Sequence, residues 1–383
     1  FTENDKVKTA RKAVLEFLLL NHPIDCPICD KAGECKLQDY SYEYGNDASR
    51  LIDPKRIPKK KDLGPSIFLY TSRCIMCSRC VRFTEEISGT EELKVVHRGW
   101  HEEIATAPNK PLDNKMMGNV VDLCPVGCLI DKHEKFEGRV WNFVHTDSVC
   151  AGCSKGCNIT LDTMKNQKLN LEELVGKVYR IRPRENMAVN QWWICDDGRY
   201  LLEGNKEKKR ILVSHIRVNG KLVESGWSEA IKAVADKIRS YQPDAMTFIG
   251  SPYASNEENY VLGKLANTLR AHVDISKPIY GYSQTFKTDF NRTPFTIESE
   301  KAPNFRGAKT VLNLPDSKID QTISSKKLVV LIGSHNVEIK NKPETLIVVS
   351  SFEDAVTSQA DILVPWSLFT ETSGTYTNKD GVV

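Results

Sequence analysis

Twelve cysteines, all between Cys26 and Cys195, constrain this 383-residue chain more than any other feature. They fall into short runs: Cys26 with Cys29 and Cys35, Cys74 with Cys77 and Cys80, Cys124 with Cys128, and Cys150 with Cys153 and Cys157. Cys195 stands alone, and nothing after it is cysteine. Disulfide scaffolds are short chains dense in cysteine throughout. Tight Cys-x-x-Cys spacing in a large chain points instead to metal ligation in a reducing compartment. Scattered core cysteines would not produce four Cys-x-x-Cys pairs.

Bulk properties narrow the rest. A net charge of +3 gives no electrostatic case for nucleic acid or membrane binding. No apolar stretch approaches the roughly 20 residues of a membrane span, and the longest runs, 328–332 and 346–349, have strand length. The chain opens on Phe1 without a secretory signal, so further sequence is expected upstream.

The strongest motif is Cys74-Ile-Met-Cys77-Ser-Arg-Cys80, answered much later by Cys124-Pro125. Three cysteines so spaced crowd one side of a small loop, as the corner irons of a cubane require. Two-cluster ferredoxins use C-x₂-C-x₂-C-x₃-C-P, the fourth cysteine serving the other cluster. Here the fourth position is Thr84, and only the Cys-Pro end of a second run survives. The spacing predicts a ferredoxin-like unit reduced to one [4Fe–4S] cluster held by Cys74, Cys77, Cys80 and Cys124. Structural zinc prefers two separated pairs. Cys128 is an alternative fourth ligand, but Pro125 favours Cys124 and leaves Cys128 as a small buried thiol.

Cys150, Cys153 and Cys157, completed by the remote Cys195, form a second cubane-like set, with a Cys₄ zinc site as its rival. Trp192 and Trp193 are placed to exclude water beside Cys195, or simply to pack. The third set is His22, Cys26, Cys29 and Cys35. Spacing alone leaves zinc and iron–sulfur evenly balanced there, and the neighbouring cluster motifs favour a third cluster. Three four-ligand sites use His22 and eleven cysteines, leaving Cys128 over. The other histidines (His97, His101, His133, His145, His215, His272, His335) lack ligand spacing, and no Gly-rich dinucleotide fingerprint or P-loop is present.

Helical spacing of Val7, Ala10, Val14, Phe17 and Leu18 predicts an amphipathic helix to about Leu20, ended by Asn21 and Pro23. Residues 50–62, with six basic residues, two acidic residues and two prolines, read as a solvated linker, a docking edge for an acidic partner, or a counterweight to anionic clusters. Strands are expected at 158–164 and 178–182. After the polar stretch 203–210, short apolar runs at 245–249, 310–314, 328–332 and 346–349 alternate with helical stretches at 228–241 and 257–269. That alternation predicts an α/β domain with a mostly parallel sheet. The expected fold class is therefore α+β iron–sulfur modules followed by a truncated α/β domain: a His-Cys₃ cluster domain at 1–65, a ferredoxin-like domain at 66–145, a β-rich [4Fe–4S] domain at 146–205 and a vestigial α/β domain at 206–383.

His22-Pro-Ile-Asp-Cys-Pro-Ile-Cys29 with Gly33-Glu-Cys35-Lys-Leu-Gln-Asp39, Arg73-Cys-Ile-Met-Cys-Ser-Arg-Cys-Val-Arg-Phe83 and Cys124-Pro-Val-Gly127 together resemble the family of the large iron–sulfur subunit, the G subunit, of bacterial NADH–quinone oxidoreductase (complex I). The Cys150 group, with Arg182-Pro-Arg184 and Trp193-Ile-Cys-Asp-Asp-Gly-Arg199, is similar to the cluster domain that opens molybdopterin oxidoreductases. So is the tail Ala360-Asp-Ile-Leu-Val-Pro365 with Glu371-Thr-Ser-Gly-Thr-Tyr-Thr-Asn378.

The resemblance implies an electron wire inside an oxidoreductase, without catalytic residues of its own. Electrons from a flavin subunit that oxidises NADH would pass through its clusters towards quinone-proximal iron–sulfur subunits. It implies a peripheral place on the cytoplasmic side of the bacterial inner membrane, a Cys150 cluster aside from the main route, and a [2Fe–2S] domain in sequence before Phe1. The segment after Cys195 is short for a large pterin cofactor and offers no cysteine to molybdenum, so no molybdopterin is expected. The competing readings are a formate dehydrogenase-like molybdopterin enzyme, an iron-only hydrogenase relative and a zinc-stapled scaffold. The hydrogenase would need further cysteines after Cys195.

Overall fold

The opening helix forms where the apolar spacing and a polar cap agree. In the computed structural model, α1 (Asp5–Leu19) starts at Asn4, whose side chain accepts the Val7 N–H at 2.9 Å. Its apolar face is only partly used: Leu15 is buried, while Val14 and Phe17 are exposed. The structure describes residues 2–164, 177–205, 207–290, 293–314, 319–334 and 337–383. His335, one of the histidines without ligand spacing, lies outside them. No described helix is long and apolar enough to cross a membrane.

The chain divides into two compact units. The first comprises Phe1–Asp147, Ile159–Arg199 and Thr285–Thr296; the second comprises Ser148–Asn158, Tyr200–Gln284 and Ile297–Val383.

In the first unit, α2 (Lys36–Tyr44) follows Cys35 directly. Short strands β1 (Lys61–Asp62) and β2 (Ile67–Leu69) pair antiparallel, and β3 (Leu93–Val96) pairs with β4 (Glu103–Thr106). Helix α3 (Arg79–Arg82) runs into a π-helical turn, Phe83–Ile87. Thr84 lies in that turn, fully buried, its hydroxyl donating to the Val81 carbonyl at 2.8 Å. A satisfied hydroxyl thus occupies the place where a two-cluster ferredoxin has its fourth sulfur. Helix α4 (Asn119–Leu123) leads into Cys124, and β5 (Leu129–Asp131) then pairs with β2. Strands β6 (Phe143–Val149), β7 (Asn158–Met164) and β8 (Val178–Pro183) form a three-stranded sheet, and α5 (Asp196–Arg199) follows Cys195.

The basic stretch 50–62 is no free linker, because its side chains find partners within the unit. Arg50 Nε donates to Glu16 at 2.6 Å, and Lys61 pairs with Glu103 at 2.7 Å. Lys55 Nζ donates to the carbonyls of Leu19, Leu20 and His22 at 2.7, 3.2 and 2.9 Å. It satisfies orphan acceptors at the end of α1, which a lysine in that position favours.

In the second unit, β9 (Ser214–Val218) and β10 (Lys221–Ser225) make a hairpin. Its turn residues Asn219 and Gly220 both take positive φ, the reason Asn-Gly favours such turns. The other sheet strands are β11 (Met246–Gly250), β12 (His272–Ile275), β15 (Leu328–Ile332), β16 (Thr345–Ser350) and β17 (Ile362–Pro365); β13 (Gln284–Phe286) and β14 (Phe295–Ile297), which lie mostly in the first unit, pair with each other. The sheet order is β10-β9-β17-β16-β15-β11-β12, parallel from β17 to β12.

Alternate residues fill opposite faces of that sheet. Val329, Leu331, Leu346 and Val348 pack with Ile319 and Ile323 of α9 (Ile319–Ser325). Leu328, Val330 and Ile347 pack with Leu262 and Ala266 of α7 (Asn256–Thr268) and with residues of α6 (Trp227–Arg239). Cover on both faces is what a parallel sheet requires, and each such side chain contributes about 1.5–3 kcal/mol. Helix α7 begins at a capping box between Ser255 and Glu258.

One expected strand is a helix. Residues 310–314 belong to the end of α8 (Phe305–Leu312) and its cap. Ala308 and Leu312, four apart, are buried on one face, and Asn313 at φ 54° closes the helix.

Candidate metal centres

None of the twelve cysteines is joined in a disulfide. Among the described residues, no three His, Cys, Asp or Glu side chains converge on a single ion. The grouped cysteines line cavities instead.

Around Cys74, the loop turns tightly because Met76 and Ser78 take left-handed backbone conformations, with φ 51° and 60°. The Met76 N–H points at Cys74 Sγ, 3.4 Å away. Cys74, Cys77, Cys80, Cys124 and Cys128 line one small cavity of about 20 Å³, walled by Leu69, Ile104, Val126 and Leu129. The structure therefore brings together the four cysteines expected there, and Cys128 with them. The Cys128 thiol lies beside Cys124 and Cys74 in that cavity. That contact, joined by the N–H groups of Leu129, Val126 and Cys128, pulls Cys124 down to about 6 despite its burial. Cys74 is lowered chiefly by the same thiol, and Cys128 is driven well above the usual range by its two sulfur neighbours and burial. Burial and nearby thiolates raise Cys80 to about 12. A thiol whose pKa is lowered is the readier ligand, and in this cavity Cys124 is lowered while Cys128 is raised.

Around His22, a 3₁₀ turn, Cys26–Ile28, and the left-handed Gly33 fold the loop back towards α2. A Cβ at Gly33 would meet Val140 at 2.7 Å and Trp141 at 2.9 Å, so this turn needs glycine. His22, Cys26 and Cys35 line a cavity of about 460 Å³ with Lys55, Leu37 and Gln38 among its walls. His22 Nδ1 is buried without a hydrogen-bond partner. Burial first, then the charges of Lys55 and Arg73, lower the His22 pKa and keep the imidazole neutral, as a ligand must be. Cys29 is buried, and its thiol is raised by that burial. It packs against Gly127, where an added Cβ would lie 2.0 Å from its sulfur.

Cys150, Cys153 and Cys157 are all buried in the second unit. Cys150 N–H bonds the Cys157 carbonyl at 2.8 Å, Gly152 N–H points at Cys150 Sγ from 3.4 Å, and Gly156 takes φ 65°. The chain's own C-terminal segment holds this loop: Lys379 N–H donates to the Ser154 carbonyl at 2.9 Å and Asn378 Nδ2 to the Lys155 carbonyl at 3.2 Å. Cys195 belongs to the first unit, so the four-cysteine set remains a reading of spacing. There, Asp196 accepts the N–H groups of Met117 and Gly118 at 3.0 and 2.9 Å, and Arg199 pairs with Asp122. Trp193 is buried against Phe83, ring centroids 5.2 Å apart, whereas Trp192 is half exposed and shields less than expected.

Sequence reasoning missed the side chains that support these loops. Arg180 bonds Glu34 at 3.0 Å, next to Cys35, and also the fully buried Asp162 at 2.6 Å. His145 Nδ1 lies 2.6 Å from Asp162, so this histidine pairs with a carboxylate. Arg73 bonds Asp25 at 2.9 Å. Arg73 and Asp162 are buried charges and Arg180 is nearly so, each with a partner far along the sequence, and spacing carries no trace of such pairs.

Three family models match: the NADH-ubiquinone oxidoreductase-G iron-sulfur binding region over residues 11–50, the ferredoxin-like domain of NADH-quinone oxidoreductase subunit 3 over 64–130, and molybdopterin oxidoreductase over 209–334. The G subunit of the NADH-quinone oxidoreductase of Rickettsia conorii is 42% identical over 88% of this chain and 50% of its own length. That of Rickettsia felis is 38% identical over 88% of this chain and 49% of its own. The mitochondrial NADH dehydrogenase [ubiquinone] iron-sulfur protein 1 of Solanum tuberosum is 36% identical over 70% of this chain and 35% of its own length. A chain of an NAD⁺-reducing [NiFe]-hydrogenase aligns at a TM-score of 0.32 with 27% identity, covering 36% of this chain and 60% of that one, too little likeness to carry an argument. The chain spans about half the length of the two Rickettsia relatives. The resemblance carried by the cysteine motifs holds across nearly the whole chain, which belongs, over the half of that protein it spans, to the family of the NADH-quinone oxidoreductase G subunit.

Proposed function

We propose that this chain is the electron-relaying part of an NADH:quinone oxidoreductase. It would take electrons from a flavin subunit that oxidises NADH and pass them towards quinone-proximal iron–sulfur subunits. The observation that carries this reading is the shared cavity: Cys74, Cys77, Cys80 and Cys124, the four cysteines of a ferredoxin-type motif, line it together. The ligand sets are Cys74, Cys77, Cys80 and Cys124; His22, Cys26, Cys29 and Cys35; and Cys150, Cys153, Cys157 and Cys195. A [4Fe–4S] cluster bound at such a set takes up and releases single electrons. The loops then need only hold their sulfurs, exclude water and supply N–H donors. The neutral, unpartnered His22 Nδ1 suits a ligand set with one imidazole.

In this reading the α/β domain is a scaffold without molybdopterin, and the protein docks through partner subunits on the cytoplasmic face of the inner membrane. Iron and acid-labile sulfide analysis with an electron paramagnetic resonance spectrum tests it. About twelve irons per chain are expected from three such clusters; about eight irons with one zinc would remove the His22 cluster.

The match of residues 209–334 to molybdopterin oxidoreductase favours a second reading, a molybdopterin-dependent enzyme. The absence of any cysteine after Cys195 to ligate molybdenum weighs against it.

A further inference from the structure

Arg73 carries a full charge at 3% exposure. A buried guanidinium persists only where partners compensate it. Its Nε and Nη2 both lie 2.9 Å from Asp25 Oδ2, its Nη1 donates to the Gly127 carbonyl at 3.4 Å, and its plane stands 4.2 Å from the Tyr70 ring centre.

These contacts tie two ligand loops together. Arg73 precedes Cys74, and Gly127 ends the arm that begins at Cys124, so both belong to the ferredoxin-type site. Asp25 precedes Cys26, and Cys29 Sγ touches Gly127 closely enough that a Cβ there would lie 2.0 Å away. The two sites thus meet at glycine on one side and at an ion pair on the other. The Arg73 charge is felt at both His22 and Cys29, and Asp25 opposes it at His22.

We propose that Arg73 and Asp25 form one electrostatic couple that sets the reduction potentials of both neighbouring cluster sites together, Arg73 raising them and Asp25 holding them down. The inference rests on the iron–sulfur reading of these two sites. Each reduction adds one electron, supplied by a one-electron reductant, and so adds negative charge to the site. A nearby cation favours that state and a nearby carboxylate disfavours it, more strongly the drier the surroundings. The guanidinium stays protonated throughout, so no proton moves with the electron.

The test is a dithionite titration of the full chain, followed by electron paramagnetic resonance, on wild type and three variants. Arg73→Gln should lower both midpoint potentials, Asp25→Asn should raise both, and Arg73→Lys, which keeps the charge, should leave both near wild type. If Arg73→Gln loses its clusters, Asp25→Asn decides alone, since its site is about a third exposed and tolerates an isosteric amide. Unmoved potentials in Asp25→Asn, movement of one cluster only, or an Arg73→Lys shift as large as that of Arg73→Gln would overturn the inference. Wild-type protein with zinc at the His22 site would overturn both this couple and the cluster reading beneath it. Two intact clusters with unresponsive potentials would overturn the couple alone.

Discussion

Arg180 Nε donates to Asp162 Oδ2 at 2.6 Å, and Asp162 has no exposed surface at all. Arg182 Nε reaches the same oxygen at 2.9 Å, and His145 Nδ1 meets the other at 2.6 Å. The same Arg180 guanidinium holds Glu34 beside Cys35.

Removing that carboxylate takes from Arg180 one of its two carboxylate partners and from Arg182 its nearest one. Asp162→Ala should destabilise the first unit by about 1–3 kcal/mol, since Arg180 keeps Glu34 while the other hydrogen bonds to the buried carboxylate are lost. Burial works against the Asp162 carboxylate, but Arg180 and Arg182 outweigh it and hold its pKa below the usual 3.8. A carboxyl depressed in the fold lends stability that is complete above its ordinary value and is lost as pH falls through the depressed one. Urea unfolding followed by circular dichroism should show wild type losing this advantage over Asp162→Asn only below about pH 4. An advantage unchanged down to pH 2 would contradict the assignment.

Cys124 and Cys128 share a cavity and should not share a role. Cys128→Ala should keep the full iron content and cost roughly 1 kcal/mol of stability, because its buried thiol fills the cavity wall beside Cys124 and Cys74. Cys124→Ala should abolish the signal of the Cys74 cluster. Iron analysis giving the opposite pattern would exchange the two residues.

Cys195→Ser should remove the third cluster, yet spare electron flow from NADH to quinone in the assembled complex better than Cys77→Ser does. A native-gel assay separates a lost route from a lost complex: equal loss of flow with intact assembly would place the Cys150 set on the main path.

Protein expressed with abundant molybdate and tungstate should carry neither metal. A stoichiometric signal, with a fluorescent pterin released on acid denaturation, would establish the enzyme reading of residues 209–334.

The ligand candidates were legible because cubane chemistry writes itself into spacing: Cys74, Cys77 and Cys80 share one loop. The parallel sheet was legible in runs such as Leu328–Ile332, where β-branched and leucine side chains fill both faces. Residues 310–314 misled because a short apolar run fits either period, and the buried i, i+4 pair of Ala308 and Leu312 begins before the run. The Asn219-Gly220 turn carries a hairpin signal that a reading of apolar runs passes over. Arg73, Arg180 and Asp162 were illegible, since an ion pair joining positions 48 or 18 residues apart leaves no local mark.

Asn119 and Ile194 hold each other twice: Asn119 Nδ2 donates to the Ile194 carbonyl at 2.7 Å, and the Ile194 N–H donates to Asn119 Oδ1 at 3.1 Å. The two positions are 75 residues apart. At synthesis rates of about 5–20 residues per second, the Cys124 arm leaves the ribosome about 4–15 s before its clasp exists. Helix α4, which runs from Asn119 into Cys124, therefore gains this support only after most of the first unit has been synthesised.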